Sequence, residues 1–171
     1  AINREDKMQD LPLFSQVSDL THYDGPLPAR PYQWDCVRAI LAARARGINR
    51  SLISLSMALG KTVIFSHLIY QRLKTGHKRA LVIAHRNELI EQAADKISVV
   101  YPKVNLGIVK AERDEHHRDV VVASIQTLAR DARLERFKRD IDTIIVDEAH
   151  HAAAESYRKV IRYFGGYDDP S

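Results

Sequence analysis

The stretch Ala80-Leu81-Val82-Ile83-Ala84-His85-Arg86-Asn87-Glu88-Leu89-Ile90 decides the fold class. Ala80–Ala84 is an unbroken apolar run. A strand built from it has no wet face, so it must be covered on both sides. The helical pattern that follows, from Arg86 to about Val99, turns Leu89, Ile90, Ala93 and Ile97 to one face. A doubly buried strand feeding an amphipathic helix is the repeating unit of a parallel sheet with helices on both faces. The same cadence extends in both directions. Upstream, Ser51 to Leu55 predicts a buried strand, Ser56 to Gly60 a loop, and Lys61 to Lys74 a helix stopped at Gly76. Before them, Pro31 suits a first helical turn, and Trp34, Val37, Ile40 and Leu41 share a face of a helix ending near Arg46 and Gly47. Downstream, strands are predicted at Leu106–Val109, Val120–Ala123 and Ile141–Val146, then a helix over about Ala153–Phe164 ending at Gly165-Gly166. The expected fold is α/β, a three-layer sandwich around a mainly parallel sheet. Ligands bind such sheets beyond the carboxyl ends of the strands. Gly60-Lys61-Thr62, His85-Arg86, Ser124 and Asp147-Glu148 all follow predicted strands.

Composition sets outer bounds. The chain has 171 residues, 45% hydrophobic and 28% charged, enough for one soluble domain with a real core. No apolar run has the length of a membrane span, and Ala1–Asp10 lacks the apolar centre of a secretory signal. The expectation is a protein without a membrane partner. Cys36 is the one cysteine, expected as a small core residue. A reducing, cytoplasmic compartment fits, with a nucleoid or an organellar matrix as variants of it. A net charge of +4 and a pI near 9.2 tilt towards a polyanionic partner, although basic residues spread along the chain also read as solvated helix faces. Gly25-Pro26-Leu27-Pro28 punctuates an arm, residues 1–29, before the domain expected over 30–171.

Two constellations carry chemistry. In Ser56-Met57-Ala58-Leu59-Gly60-Lys61-Thr62 a predicted loop enters a helix. Binding of nucleotide phosphates needs backbone N–H groups at a helix start, a lysine for the β- and γ-phosphates, and a hydroxyl for Mg²⁺. Gly60, Lys61 and Thr62 supply those parts. The strict pattern G-x-x-x-x-G-K-[ST] would place glycine at position 55, where this chain has Leu55. An exposed lysine at a helix start is the plainer alternative. In Asp147-Glu148-Ala149-His150, adjacent carboxylates end a buried strand. That costs energy unless cations or hydrogen bonds meet them. Magnesium beside nucleotide phosphates does so, with Asp147 holding the metal and Glu148 orienting and deprotonating water. An acidic helix cap is the plainer alternative here. In one parallel sheet the two constellations form the halves of a P-loop NTPase site.

The ordered motifs resemble the first RecA-like domain of superfamily 2 helicases and translocases of the DEAH type. Ser56–Thr62 is similar to motif I, and Asp147-Glu148-Ala149-His150 reads DEAH, as motif II does. Arg30-Pro31-Tyr32-Gln33 resembles the RPYQ signature of DNA-directed members. Leu81–Gln92 is similar to motif Ia, and Val122–Leu128 to the next nucleic-acid-contacting motif. The branch it most resembles includes type III restriction subunits and DNA repair or mitochondrial helicases. The resemblance implies ATP and Mg²⁺ as cofactors. It implies Arg30, Gln33, Met57, Ala58, Leu59, Gly60, Lys61 and Thr62 around the nucleotide, with Gln33 and Arg30 selecting adenine. Thr62 and Asp147 would hold Mg²⁺. Lys61, Asp147 and Glu148 would form the catalytic set, and His150 would couple it to nucleic acid. Arg86, Ser124, Gln126 and Thr127 would follow the phosphates of one strand, more plausibly of DNA, in a salt-sensitive, sequence-independent way.

Departures qualify the match. Ala58 adds a Cβ where backbone must approach phosphate, although Met-x-Leu-Gly-Lys-Thr is similar to Swi/Snf remodellers. His85-Arg86 replaces the usual Pro-Thr-Arg. A Ser-Ala-Thr strand and a second RecA-like domain, the expected intramolecular partner, do not appear in the 171 residues. Arginine fingers from such a domain contribute about 10³–10⁵ in rate. The expectation is a chain that binds ATP·Mg²⁺ weakly and hydrolyses it barely, as part of an ATP-hydrolysing helicase. A restriction-enzyme motor subunit and a nucleotide-binding switch that does not unwind are the rivals. Among the remaining residues, Trp34 is expected in the core, while Tyr32 is divided between packing and stacking on a base. The pairs His116-His117 and His150-His151 are not expected to hold zinc, because neighbouring side chains point apart on a helix or strand and no C-x-x-C accompanies them.

Overall fold

The structure is a computed structural model that describes residues 27–55, 59–137 and 140–165. Two helices come first, α1 (Pro31–Ala45) and α2 (Lys61–Lys74). Then follow β1 (Ala80–Ala84), α3 (Asn87–Val100), β2 (Leu106–Lys110), β3 (Arg113–Asp114) and β4 (Val120–Ser124). The chain continues through α4 (Ile125–Leu128), α5 (Asp131–Leu134), β5 (Thr143–Val146), a 3-10 turn (Ala149–Ala153) and α6 (Glu155–Tyr163). The sheet has five strands in the order β3-β2-β4-β1-β5. Every pairing is parallel except β2 with β3. This is the expected α/β sandwich.

Side-chain alternation on the strands builds two cores. Ala80, Val82 and Ala84 of β1 join Val120, Val122 and Ile108 on one face, where Phe65 and Ile69 of α2 and Ile90, Ala93 and Ile97 of α3 cover them. Leu81, Ile83, Val121, Ala123 and Val109 face the other way, against Ile125, Leu128, Leu134, Phe137, Tyr157 and Val160. Leu81, Val82 and Ile83 are each fully buried. Each burial contributes roughly 1.5–3 kcal/mol, which offsets the backbone and side-chain ordering of the same residue, so β1 can sit inside the sheet, between β4 and β5.

The structure corrects several sequence expectations. Ser51–Leu55 is not a strand; it runs outside the sheet, and Leu52 is 78% exposed. An apolar run becomes a strand only beside a ladder partner. Ile53 and Leu55 pack instead on Val37, Ile40, Ile64 and Leu68, between α1 and α2. The last strand begins at Thr143 rather than Ile141, because Ile141 turns into the core and Asp142 accepts the Lys78 N–H at 2.8 Å. The final helix is found close to its predicted bounds, starting at Glu155, and an unpredicted 3-10 turn precedes it, with Ala154 capping α6 in extended conformation. Strand β3 and helices α4 and α5 have no counterpart among the predicted elements, being only two to four residues long. At the amino end of the sheet, Arg79 donates to Asp140 at 2.7 Å and to the carbonyls of Arg118 and His116. That leaves the carboxyl end for the conspicuous residues. Among the described residues no helix is long and apolar enough to cross a membrane.

Candidate nucleotide and nucleic-acid site

The start of α2 is suspended from α1. Gly60 caps α2 with φ 77° and ψ 43°, a left-handed backbone that favours glycine. A Cβ there would come within 2.6 Å of the Gln33 Nε2 atom. The Leu59 carbonyl accepts from Tyr32 Oη at 2.8 Å and from Gln33 Nε2 at 3.2 Å. The Arg30 N–H in turn donates to Gln33 Oε1 at 2.8 Å. The Arg-Pro-Tyr-Gln segment is therefore the physical support of the loop, and Gln33 is buried. Lys61 opens the helix and is exposed; Thr62 beside it is half-buried. Met57 and Ala58, expected around the nucleotide, lie outside the described residues, as does the arm up to Pro26.

The second constellation is held by the sheet. Beyond β5, the Asp147 N–H donates to the Ile83 carbonyl at 3.0 Å, extending the ladder by one bond. The Asp147 carboxylate accepts the Glu148 N–H at 3.1 Å. Burial raises the Asp147 pKa above the usual carboxylate range. The Glu148 N–H opposes that, the Glu148 charge adds to it, and the Lys61 ammonium opposes it. Lys61 and Asp147, 86 positions apart in sequence, thus lie within each other's electrostatic reach. Glu148 sits at φ 58° and ψ 65°, a strained conformation for a residue with a Cβ. It turns the chain into the 3-10 segment and leaves its carboxylate exposed.

The histidines form a feature the sequence did not announce. The His150 and His151 rings are 4.1 Å apart, so they converge rather than point apart. Adjacent residues of a 3-10 turn stand about 120° apart, farther than in an α-helix, so the side-chain torsions and not the backbone advance bring the two rings together. His151 also stacks on His85, with ring centroids 5.0 Å apart at 20°. The Gln126 amide donates to the His85 carbonyl at 2.9 Å, and Ser124 Oγ donates to Gln126 Oε1 at 2.6 Å. The ends of β1, β4 and β5 are thereby linked side chain to side chain. Of the residues expected to follow phosphates, Arg86 and Gln126 are exposed, whereas Ser124 and Thr127 are buried. Thr127 Oγ1 accepts the Ala111 N–H at 3.1 Å. His85 and His151 were missed as site residues; the signal for His85 was its position directly after a strand.

Other side chains fall to packing. Trp34 packs on the α1–α2 cluster with its ring 5.1 Å from His67. Cys36 is half-buried there, and burial pushes its thiol pKa up. His116 lies 3.2 Å from Asp114 and packs on Phe137.

Comparison with known proteins agrees with this geometry. Residues 26–167 match the family described as type III restriction enzyme, res subunit. IRC3 of Saccharomyces cerevisiae, named as an ATP-dependent helicase, is 38% identical over 151 residues, covering 83% of this chain and 22% of its own. Its counterpart in Schizosaccharomyces pombe, named as a mitochondrial ATP-dependent helicase, is 32% identical over 148 residues, covering 85% of this chain and 24% of its own. The chain thus spans about a quarter of the length of these relatives. Among solved structures, the SWI2/SNF2 ATPase core of Sulfolobus solfataricus in complex with dsDNA superposes with a TM-score of 0.68. It is 20% identical and covers 80% of this chain and 30% of its own.

Proposed function

The chain belongs to the type III restriction enzyme res-subunit family, and from that premise we propose that it is the ATP-binding domain of an ATP-dependent motor acting on nucleic acid, a helicase or translocase. The observation that carries the proposal is that Lys61, from the start of α2, lies within electrostatic reach of Asp147, the neighbour of Glu148, at the carboxyl end of the sheet. A lysine at a helix start and a desolvated carboxylate beside it suit triphosphate and a hard cation. Thr62 Oγ1 and the Asp147 carboxylate are oxygen donors, the type Mg²⁺ selects, and burial, which raises the Asp147 pKa, marks a carboxylate whose charge a cation would stabilise.

ATP·Mg²⁺, when bound, supplies the γ-phosphoryl group and the charge that neutralises its oxygens. Lys61 would bind the β- and γ-phosphates. Glu148 is free of the sheet and placed to take a proton from water. Gln33 offers its second amide N–H to adenine, since its first is held by Leu59. Arg86 and Gln126 would contact the phosphates of a strand, and the link of Gln126 to His85 and His151 leads back to Glu148. DNA is favoured over RNA by the Arg-Pro-Tyr-Gln segment and by the SWI2/SNF2 core solved with dsDNA. A second RecA-like domain is the partner that would complete catalysis. The mitochondrial name of the fission-yeast relative favours an organellar matrix over the cytoplasm. The family's own description favours a second version, a restriction motor that translocates without separating strands.

The test is binding of a fluorescent ATP analogue with Mg²⁺ to this chain and to Lys61→Ala, each with and without single-stranded DNA. Loss of a charged hydrogen bond, worth about 1.5–3 kcal/mol, predicts affinity weakened about ten- to a hundredfold. Equal binding by the two proteins would sink the assignment. Duplex unwinding against displacement of a third strand, in the longer protein, separates helicase from translocase.

A further inference from the structure

Glu148, His150 and His151 each bring one ligand atom into a cluster, with all three atoms within 4.8 Å of one another. The Glu148 Oε2 atom lies 3.4 Å from His151 Nε2 and 4.0 Å from His150 Nε2. Both separations exceed a good hydrogen bond. The first is close to the edge of a tetrahedron with metal–nitrogen bonds of about 2.0–2.1 Å, which is roughly 3.3–3.4 Å; the second is longer, so the exposed His150 ring must move inward to complete the set.

Local structure explains the convergence. The left-handed backbone at Glu148 starts a 3-10 turn, and 3-10 geometry eclipses residues three apart, bringing Glu148 over His151. The His151 ring is then held in place, stacked on His85 and lying 13° from the plane of the buried Tyr157 ring at 6.4 Å. An imidazole fixed by neighbours gives up little freedom on ligation. Two imidazoles and one carboxylate form a borderline donor set, suited to Zn²⁺ or Co²⁺ rather than to Mg²⁺, which takes oxygen.

We propose that Glu148, His150 and His151 form a binding site for a transition-metal cation of the Zn²⁺ class, distinct from the nucleotide's Mg²⁺. The set has the three-ligand arrangement that leaves a fourth position to water. Because the metal takes the Glu148 carboxylate, its binding removes the proton acceptor from ATP hydrolysis and acts as a brake; that consequence rests on the role proposed for Glu148 above. No bond of substrate is made or broken by this binding.

The probe is Co²⁺, titrated into the 171-residue chain without nucleotide and followed by visible absorption, with Zn²⁺ competition by calorimetry. One saturable site with tetrahedral or five-coordinate absorption is expected. His151→Ala and Glu148→Gln should each weaken it by at least about tenfold, the low end for loss of even an outer partner. His116→Ala should leave it unchanged, and circular dichroism verifies folding of each variant. Binding indifferent to both His151→Ala and Glu148→Gln overturns the metal site and leaves the nucleotide assignment standing. Nucleotide-analogue binding that survives Lys61→Ala while Co²⁺ still binds overturns the brake and leaves the metal site.

Discussion

The two arms of the proposed nucleotide site are held by different means. The arm ending in Asp147 and Glu148 is an extension of the sheet: β5 pairs with β1, and the Asp147 N–H bonds the carbonyl of the fully buried Ile83. The arm ending in Gly60 and Lys61 has no ladder bond among the described residues. It hangs from α1 through Tyr32 and Gln33 on the Leu59 carbonyl, and through Ile53 and Leu55 on the α1–α2 cluster. The Asp147–Glu148 arm therefore inherits the cooperativity of the core. The Gly60–Lys61 arm depends on a few side-chain contacts. A motor needs one part of its site to stay put while another answers to ligand, and elements of low local stability are the ones that move.

Substitutions in the supports of each arm should give opposite signatures. Ile83→Ala removes a fully buried side chain from the second core, beneath the DEAH arm. It should destabilise the whole domain by about 2–5 kcal/mol, read as one cooperative shift in chemical denaturation. A small shift with selective loss of metal-dependent nucleotide binding would break the comparison. Gln33→Ala strikes the other arm. It loses hydrogen bonds to Leu59 and Arg30, worth about 1–3 kcal/mol together. The expected result is weaker analogue binding with a minor change in global stability. If Gln33→Ala unfolds the protein as strongly as Ile83→Ala, the two arms are equally part of the core.

The same division governs what the sequence revealed. β1, β4 and α2 were legible to within a residue, because a continuous apolar run or a period of 3.6 is enforced by burial on the element itself. Ser51–Leu55 misled, because its β character needed a neighbouring strand, and a neighbour is a tertiary fact. The site was legible as residue types, Lys61, Asp147 and Glu148, at the ends of elements. Burial of Ser124 and Thr127 and the stacking of His85 on His151 were not. Those depend on how three strand ends are juxtaposed, and on a 3-10 turn started by one strained glutamate, neither of which has a period to read.

The smallest predicted effect is the most diagnostic, because its sign is unusual. Asp147 has a pKa raised by burial, so the folded state binds its proton more tightly than the unfolded chain does. A raised carboxyl pKa means a penalty that is present above the folded pKa and vanishes as pH falls below the unfolded one. Asp147→Asn keeps the shape and removes the charge. At neutral pH it should raise Tm by on the order of 2–4 °C, the shift for about 1 kcal/mol in a domain of this size. It should abolish the Mg²⁺ dependence of analogue binding in the same protein. Below the ordinary aspartate range the two melting curves should coincide, since Asp147 is then protonated in both states. A variant that melts lower than the parent at neutral pH would mean that Lys61 and the Glu148 N–H more than offset burial. Asp147 would then be stabilising the arm rather than being held on it at a cost.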